Sequence, residues 1–174
     1  MKNLILIFGI LFSGLYAAQS KEKSVFDIAR SGTVAELQTL MKKNPNVINE
    51  TNDNGFTPLI LASYRGNKEV AAFLIDNVKD VNYKSQEGTA LAGLSMHYNR
   101  DLVEHLLKKN ADPNIADSSG TTPLFWAVKN GNRELVELLL KNKADKTLKD
   151  NMGVTPFEYA LKSENKEIIN LLKN

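Results

Sequence analysis

The chain has no cysteine in its 174 residues. That excludes disulfides, thiolate zinc sites, iron-sulfur clusters and cysteine nucleophiles, so packing alone must hold the fold together. Charge of one sign is also missing, because 22 basic side chains face 20 acidic ones for a net charge of +2. No broad field is available to hold nucleic acid, and no G-x-G-x-x-G or phosphate loop is present. Histidine occurs twice, as His97 and His105. Their spacing of eight, across a turn, does not place both on one helical face, so no two-histidine metal site is expected. Tryptophan occurs once, as Trp126. Long apolar runs are confined to Leu4–Tyr16.

That run follows the basic start Met1-Lys2-Asn3 and precedes the small residues Ala17-Ala18-Gln19-Ser20. The arrangement predicts a secretory signal peptide over residues 1–20, cut after Ala17 or Ser20. As a helix the run would rise only about 20 Å, too short for a hydrocarbon layer of about 30 Å, so no stable membrane insertion is expected after cleavage. Richness in lysine and asparagine points to an AT-rich bacterium, and the expected location is the periplasm or the medium.

What the chain does have is a repeat. Gly55, Gly88, Gly120 and Gly153 are separated by 33, 32 and 33 positions. Thr57-Pro58-Leu59, Thr122-Pro123-Leu124 and Thr155-Pro156-Phe157 follow three of them at one residue's distance, and Thr89-Ala90-Leu91 follows Gly88 directly. Each reads as a helix start, since a threonine hydroxyl accepts from an orphaned N–H and proline suits the first helical position. Second helices are marked by Val70-Phe73-Leu74, Leu102-Leu106-Leu107, Leu135-Leu138-Leu139 and Ile168-Leu171-Leu172, one buried stripe each.

The succession G-x-T-P-L, A, G-N, L-L and A-D-x-N resembles the ankyrin repeat, a β-turn followed by two antiparallel helices. The resemblance covers about residues 24–174. It implies an all-α repeat solenoid with short β-hairpin turns, in a domain over 21–174. The units read as a cap at 24–50, repeats at 51–83, 84–115 and 116–148, and a terminal cap at 149–174. Stacking is obligatory because one helix pair cannot bury its own apolar face.

Departures from the pattern carry expectations of their own. The family's histidine after T-P-L is Ile60, Ala92, Phe125 and Glu158, so apolar packing should replace its network. The glycine after the first helix persists as Gly66 and Gly131 but is Tyr98 and Glu164 elsewhere, where strained or reshaped turns are expected. Val78 stands where another family glycine belongs and should avoid positive φ, being β-branched. The unit at Gly88 is one residue short and lacks proline, and Gly93 is expected to make room for Leu94.

No nucleophile, base and orienting group occur together, so no enzyme is expected. Gly93-Leu94-Ser95-Met96-His97 lacks the second glycine of a nucleophile elbow. Residues 50–61 mimic a calcium loop but end on Leu61 instead of glutamate. Asn49-Glu50-Thr51 is a glycosylation sequon.

The resemblance implies a non-catalytic module that binds a protein through a concave face, as a monomer and without a cofactor. By position the binding residues are Phe56, Tyr64, Arg65, Met96, His97, Lys129 and Asn130. Tyr64 and Arg65 lead, because tyrosine and arginine dominate interface hot spots. Trp126, next to a core alanine, is expected to be buried. Basic groups along the face (Arg30, Arg65, Lys129, Lys162) suit an acidic partner. Exported bacterial proteins of this kind include accessory proteins of oxidative-stress enzymes and immunity proteins. An alternative is a haem or small-ligand carrier built on Tyr64, Met96, His97 and Tyr98.

Overall fold

The computed structural model describes residues 22–173, and the signal-peptide segment lies outside them. Ten α-helices run in five pairs. These are α1 (Val25–Ser31) with α2 (Val34–Lys43), α3 (Pro58–Arg65) with α4 (Lys68–Asn77), and α5 (Ala90–Met96) with α6 (Arg100–Lys108). The last two pairs are α7 (Pro123–Lys129) with α8 (Arg133–Lys141), and α9 (Pro156–Lys162) with α10 (Lys166–Lys173). Each first helix packs on the next first helix, α1 to α3 to α5 to α7 to α9, while second helices form an outer row. The shared apolar seam runs the length of the array, from Val25 and Ile28 to Ile168 and Leu172.

Helix starts follow the anticipated chemistry. Thr57, Thr89 and Thr155 accept from the backbone N–H of Ile60, Ala92 and Glu158. Asn99, Asn132 and Asn165 cap the second helices by accepting from Leu102, Leu135 and Ile168. There are two exceptions: Thr122 makes no side-chain cap bond at the start of α7 and its hydroxyl is shielded without a partner, and the Asn67 side-chain amide instead donates to the carbonyls of Ile28 (3.2 Å) and Gly32 (2.9 Å) at the end of α1. It thereby satisfies orphan acceptors of the neighbouring unit.

Three asparagines stitch successive units. Lys79 N–H donates to Asn49 Oδ1, Asp112 N–H to Asn82 Oδ1 and Asp145 N–H to Asn114 Oδ1, at 2.8, 2.8 and 2.7 Å. Asn82 and Asn114 also donate to the carbonyls of Asn110 and Lys143. The sequon asparagine is thus a bolt between units through its Oδ1, while its amide nitrogen, the atom a glycan would occupy, donates to Asn46 Oδ1 at 3.4 Å.

The turns are tighter than hairpins with strands. Among the described residues the single β-bridge joins Ser85 and Gly88. In the other turns an acidic or amide side chain does the work: Asn52, Asp117 and Asp150 each accept two backbone N–H groups through Oδ1. Val78 has φ −74°, as its branching demands. Glu164 adopts φ 54° in place of glycine, and Asn110 and Lys143 take φ 62° and 67°. Tyr98 avoids the left-handed region because α5 ends earlier, at His97, with φ −117° and ψ 67°.

Three helix starts, at Ser24, Thr33 and Thr155, are closed by capping boxes with Asp27, Glu36 and Glu158. The hydrogen bond from the Ser24 side chain holds the Asp27 carboxyl below its ordinary value of 3.8. The bonds from Lys23 to Glu36 and from the Thr155 N–H to Glu158 hold those two below 4.5. A depressed folded-state pKa adds stability that is present above the unfolded value and lost as pH falls through the folded one. We therefore expect hydrogen exchange to show α1, α2 and α9 fraying first below about pH 4, while α5 and α7, which lack acidic caps, hold. Equal acid sensitivity in α5 and α1 would contradict this account.

Candidate functional site

Tyr64, in the last turn of α3, is a strut between units. Its ring lies where a side chain on Gly93 would be, since a Cβ there would sit 2.6 Å from Tyr64 Cδ2. Gly93 therefore makes room for Tyr64 of the preceding unit. The Tyr64 hydroxyl donates to the Glu87 carbonyl, which ties the shortened turn back to α3. Burial pushes this hydroxyl far above the usual phenol range, helped by the nearby Glu87 and Asp117 carboxylates, so it stays neutral. Phe56 is half-buried and meets the Tyr64 ring edge-on at 6.5 Å, so it is less available at its tip than expected.

Gly93→Ala is expected to cost about 1–3 kcal/mol through overpacking against Tyr64, with most of that loss abolished in a Tyr64→Ala background. Chemical denaturation of the four proteins of that cycle measures it. A cost independent of Tyr64 would show that the ring is not what Gly93 accommodates.

The shortened turn also parts the tips. Ser118 N–H donates to the Gln86 carbonyl and Asn151 N–H to that of Ser119, at 2.8 and 2.9 Å, joining the second tip to the third and the third to the fourth. Among the described residues no such backbone bond joins the first and second tips. Between them lies a cleft of about 590 Å³, walled by Asp53, Asn54 and Phe56 on one side and by Tyr83, Lys84 and Glu87 on the other.

The carboxyl-terminal half of the groove face is built from aromatics and cations. Lys129 Nζ stands 4.8 Å from the centre of the Trp126 ring and 5.6 Å from that of Tyr159. Lys162 Nζ lies 5.9 Å from the centre of the Tyr159 ring. A ring face carries negative quadrupole charge, so these ammonium groups are held in place without a carboxylate. Burial, then the Asp150 carboxylate, push the Tyr159 hydroxyl up from its ordinary value. Trp126, expected to be buried, is only half-buried, with its indole N–H shielded and unpartnered and its ring under Lys129, so it lines this face. Sequence reasoning missed Trp126 and Tyr159 as groove residues. The available signal was their shared repeat position, three residues before Lys129 and Lys162 and equivalent to Gly93.

The remaining candidates divide. Arg65 is exposed at the end of α3, and Met96 is half-buried at the end of α5. His97 is exposed as the cap that follows. Asn130 is exposed, yet its amide donates to the Met96 carbonyl at 3.1 Å and so closes the end of α5. Of the four groups of the haem alternative, Met96 and His97 keep their access, whereas the Tyr64 hydroxyl is committed to Glu87 and that of Tyr98 is shielded without a partner. His105 is half-buried and bonds Asp76 at 2.9 Å, which Lys109 also reaches at 2.8 Å. That group links successive second helices of the outer row.

A family model described as ankyrin repeats, three copies, matches residues 16–117 and 91–174. The chain belongs to the ankyrin-repeat family. Ankyrin repeats are generally protein–protein interaction modules, typically without catalysis. Among curated proteins this one is 29% identical over 106 residues to ankyrin repeat and SAM domain-containing protein 6 of Rattus norvegicus, covering 60% of this chain and 12% of that protein. It is 29% identical over 123 residues to ankyrin repeat, SAM and basic leucine zipper domain-containing protein 1 of Nomascus leucogenys, covering 68% of this chain and 26% of the relative. The chain thus spans about a quarter or less of these relatives' length. None of the ankyrin helices among the described residues is long and apolar enough to cross a membrane.

Proposed function

We propose that this ankyrin-repeat protein is a monomeric, non-catalytic binding module that grips an acidic segment of another protein along its groove face. The observation that carries this reading is the row Arg65, Lys129 and Lys162. Among the described residues none of the three is ion-paired, although most arginines and several lysines elsewhere are. Two of them rest on the aromatic faces of Trp126 and Tyr159, which offer large contact area with a polar edge. Hot-spot weight accordingly shifts from Tyr64, which is busy within the fold, to Trp126, Lys129 and Tyr159. The apolar segment near Leu4–Tyr16 supports export, and the periplasm is the proposed place of action.

The test is crosslinking and capture from cell envelope extracts, comparing wild type with the Lys129→Glu, Lys162→Glu double variant. The wild type is expected to retain a partner that the variant loses, with retention falling steeply as salt is raised. Capture of the same partner by both proteins, or indifference to salt, would remove the acidic-segment reading. Recovery of the chain only from the cytosolic fraction would remove the export reading alone.

A further inference from the structure

The ankyrin stack contains two Asn–Gly pairs, Asn54-Gly55 and Asn130-Gly131, and the structure treats them differently. Asn54 is exposed at the first turn, its side-chain amide makes no hydrogen bond among the described residues, and the space beside Gly55 is open. Only its backbone N–H is engaged, donating to Asn52 Oδ1 at 3.1 Å. It also lines the cleft that the shortened second turn leaves open, so nothing from the neighbouring tip presses on it. Asn130, by contrast, holds its amide against the Met96 and Ser95 carbonyls at 3.1 and 3.4 Å.

We propose that Asn54 is a self-modification site, converting spontaneously to aspartyl and isoaspartyl residues in the folded protein while Asn130 is spared. The Gly55 N–H donates to the Asn52 carbonyl at 2.8 Å, as that of Gly131 does to the Val128 carbonyl at 3.0 Å, so this bond opens first at either site; solvent base then removes the proton and the Gly55 nitrogen attacks Cγ of Asn54. The bond from Cγ to the amide nitrogen breaks, ammonia leaves with a proton from solvent, and a five-membered succinimide closes. One water molecule then opens either carbonyl of that ring, giving the α- or the β-linked acid. Glycine on the attacking side favours the step because a Cβ there would crowd the approach. Rotation of the Asn54 side chain toward Gly55 breaks no side-chain bond, whereas the same rotation at Asn130 breaks the link to α5. The product adds one negative charge to a cleft already flanked by Asp53 and Glu87. In its β-linked form it also adds a methylene to the backbone that positions Phe56.

The experiment incubates the full chain at mildly alkaline pH and follows both peptides by fragmentation mass spectrometry. In the folded protein Asn54 is expected to react about tenfold faster than Asn130, the retardation one retained side-chain hydrogen bond produces. In denaturant the two sites should react at equal rates. The Asn54→Gln variant, folded by circular dichroism, should remain free of the early acidic species. Equal rates in the folded state, or an unreacted Asn54 beside a reacting Asn130, would overturn the proposal.

Discussion

Phe125→Ala is expected to cost about 3–5 kcal/mol, the largest loss from any single truncation in the groove-side row. The ring is fully buried, with 0% of its surface exposed. It meets the Tyr159 ring edge-on, with centroids 5.6 Å apart and planes at 84°. Truncation leaves a cavity between α7 and α9, two helices too short to close it by tilting without dragging the turns with them. It also removes the wall behind Tyr159 and therefore loosens the Lys129 and Lys162 ammonium groups. Urea unfolding of the full chain measures the loss. Because neighbouring units stabilise one another, the transition should broaden as the carboxyl-terminal units unfold ahead of the rest. A loss below about 1 kcal/mol would mean that the site collapses around the smaller side chain.

Gly120→Ala should follow at about 3 kcal/mol, against about 1–2 for Gly55→Ala. Both glycines have left-handed backbones, with φ 78° and 74°. The difference lies in what a Cβ would meet. At Gly55 it would meet nothing, whereas at Gly120 it would sit 2.9 Å from the Asn151 backbone nitrogen, the Asn151 side-chain oxygen and the Asp150 Cα. Those atoms belong to the next turn, so relief would stretch the bond from Asn151 N–H to the Ser119 carbonyl. Denaturant midpoints of the two variants, taken in parallel, separate conformational strain from contact between tips. Equal losses would show that the tips do not press on each other at Gly120.

The array, its helix pairs and their caps were legible because each is local: a threonine three residues before an orphan N–H, a proline at the first helical position, a leucine stripe at helical spacing. Val78 was legible for the same reason, since a branched side chain restricts its own φ. The binding face was legible only as a row of positions. Tyr64 and Arg65 are adjacent in the chain and look equivalent, yet Tyr64 bends onto Gly93 while Arg65 reaches solvent. That difference rests on a missing Cβ one unit away, and no local rule contains it. Trp126 reads as buried in the sequence because the core alanine Ala127 is its neighbour, yet its ring is half-buried under Lys129.

Leu161 makes the same point at the end of the stack. Its spacing is that of Val128, a core residue, and yet 46% of its surface is exposed because no described unit covers it. Periodicity along the chain thus dictates which residues form helices and which flank can be apolar. Which apolar or polar groups are spent inside the stack, and which stay free for a partner, depends on contacts between units some thirty residues apart. Those contacts follow from one shortened turn and one absent side chain. Their effect is felt only after the units have closed against each other.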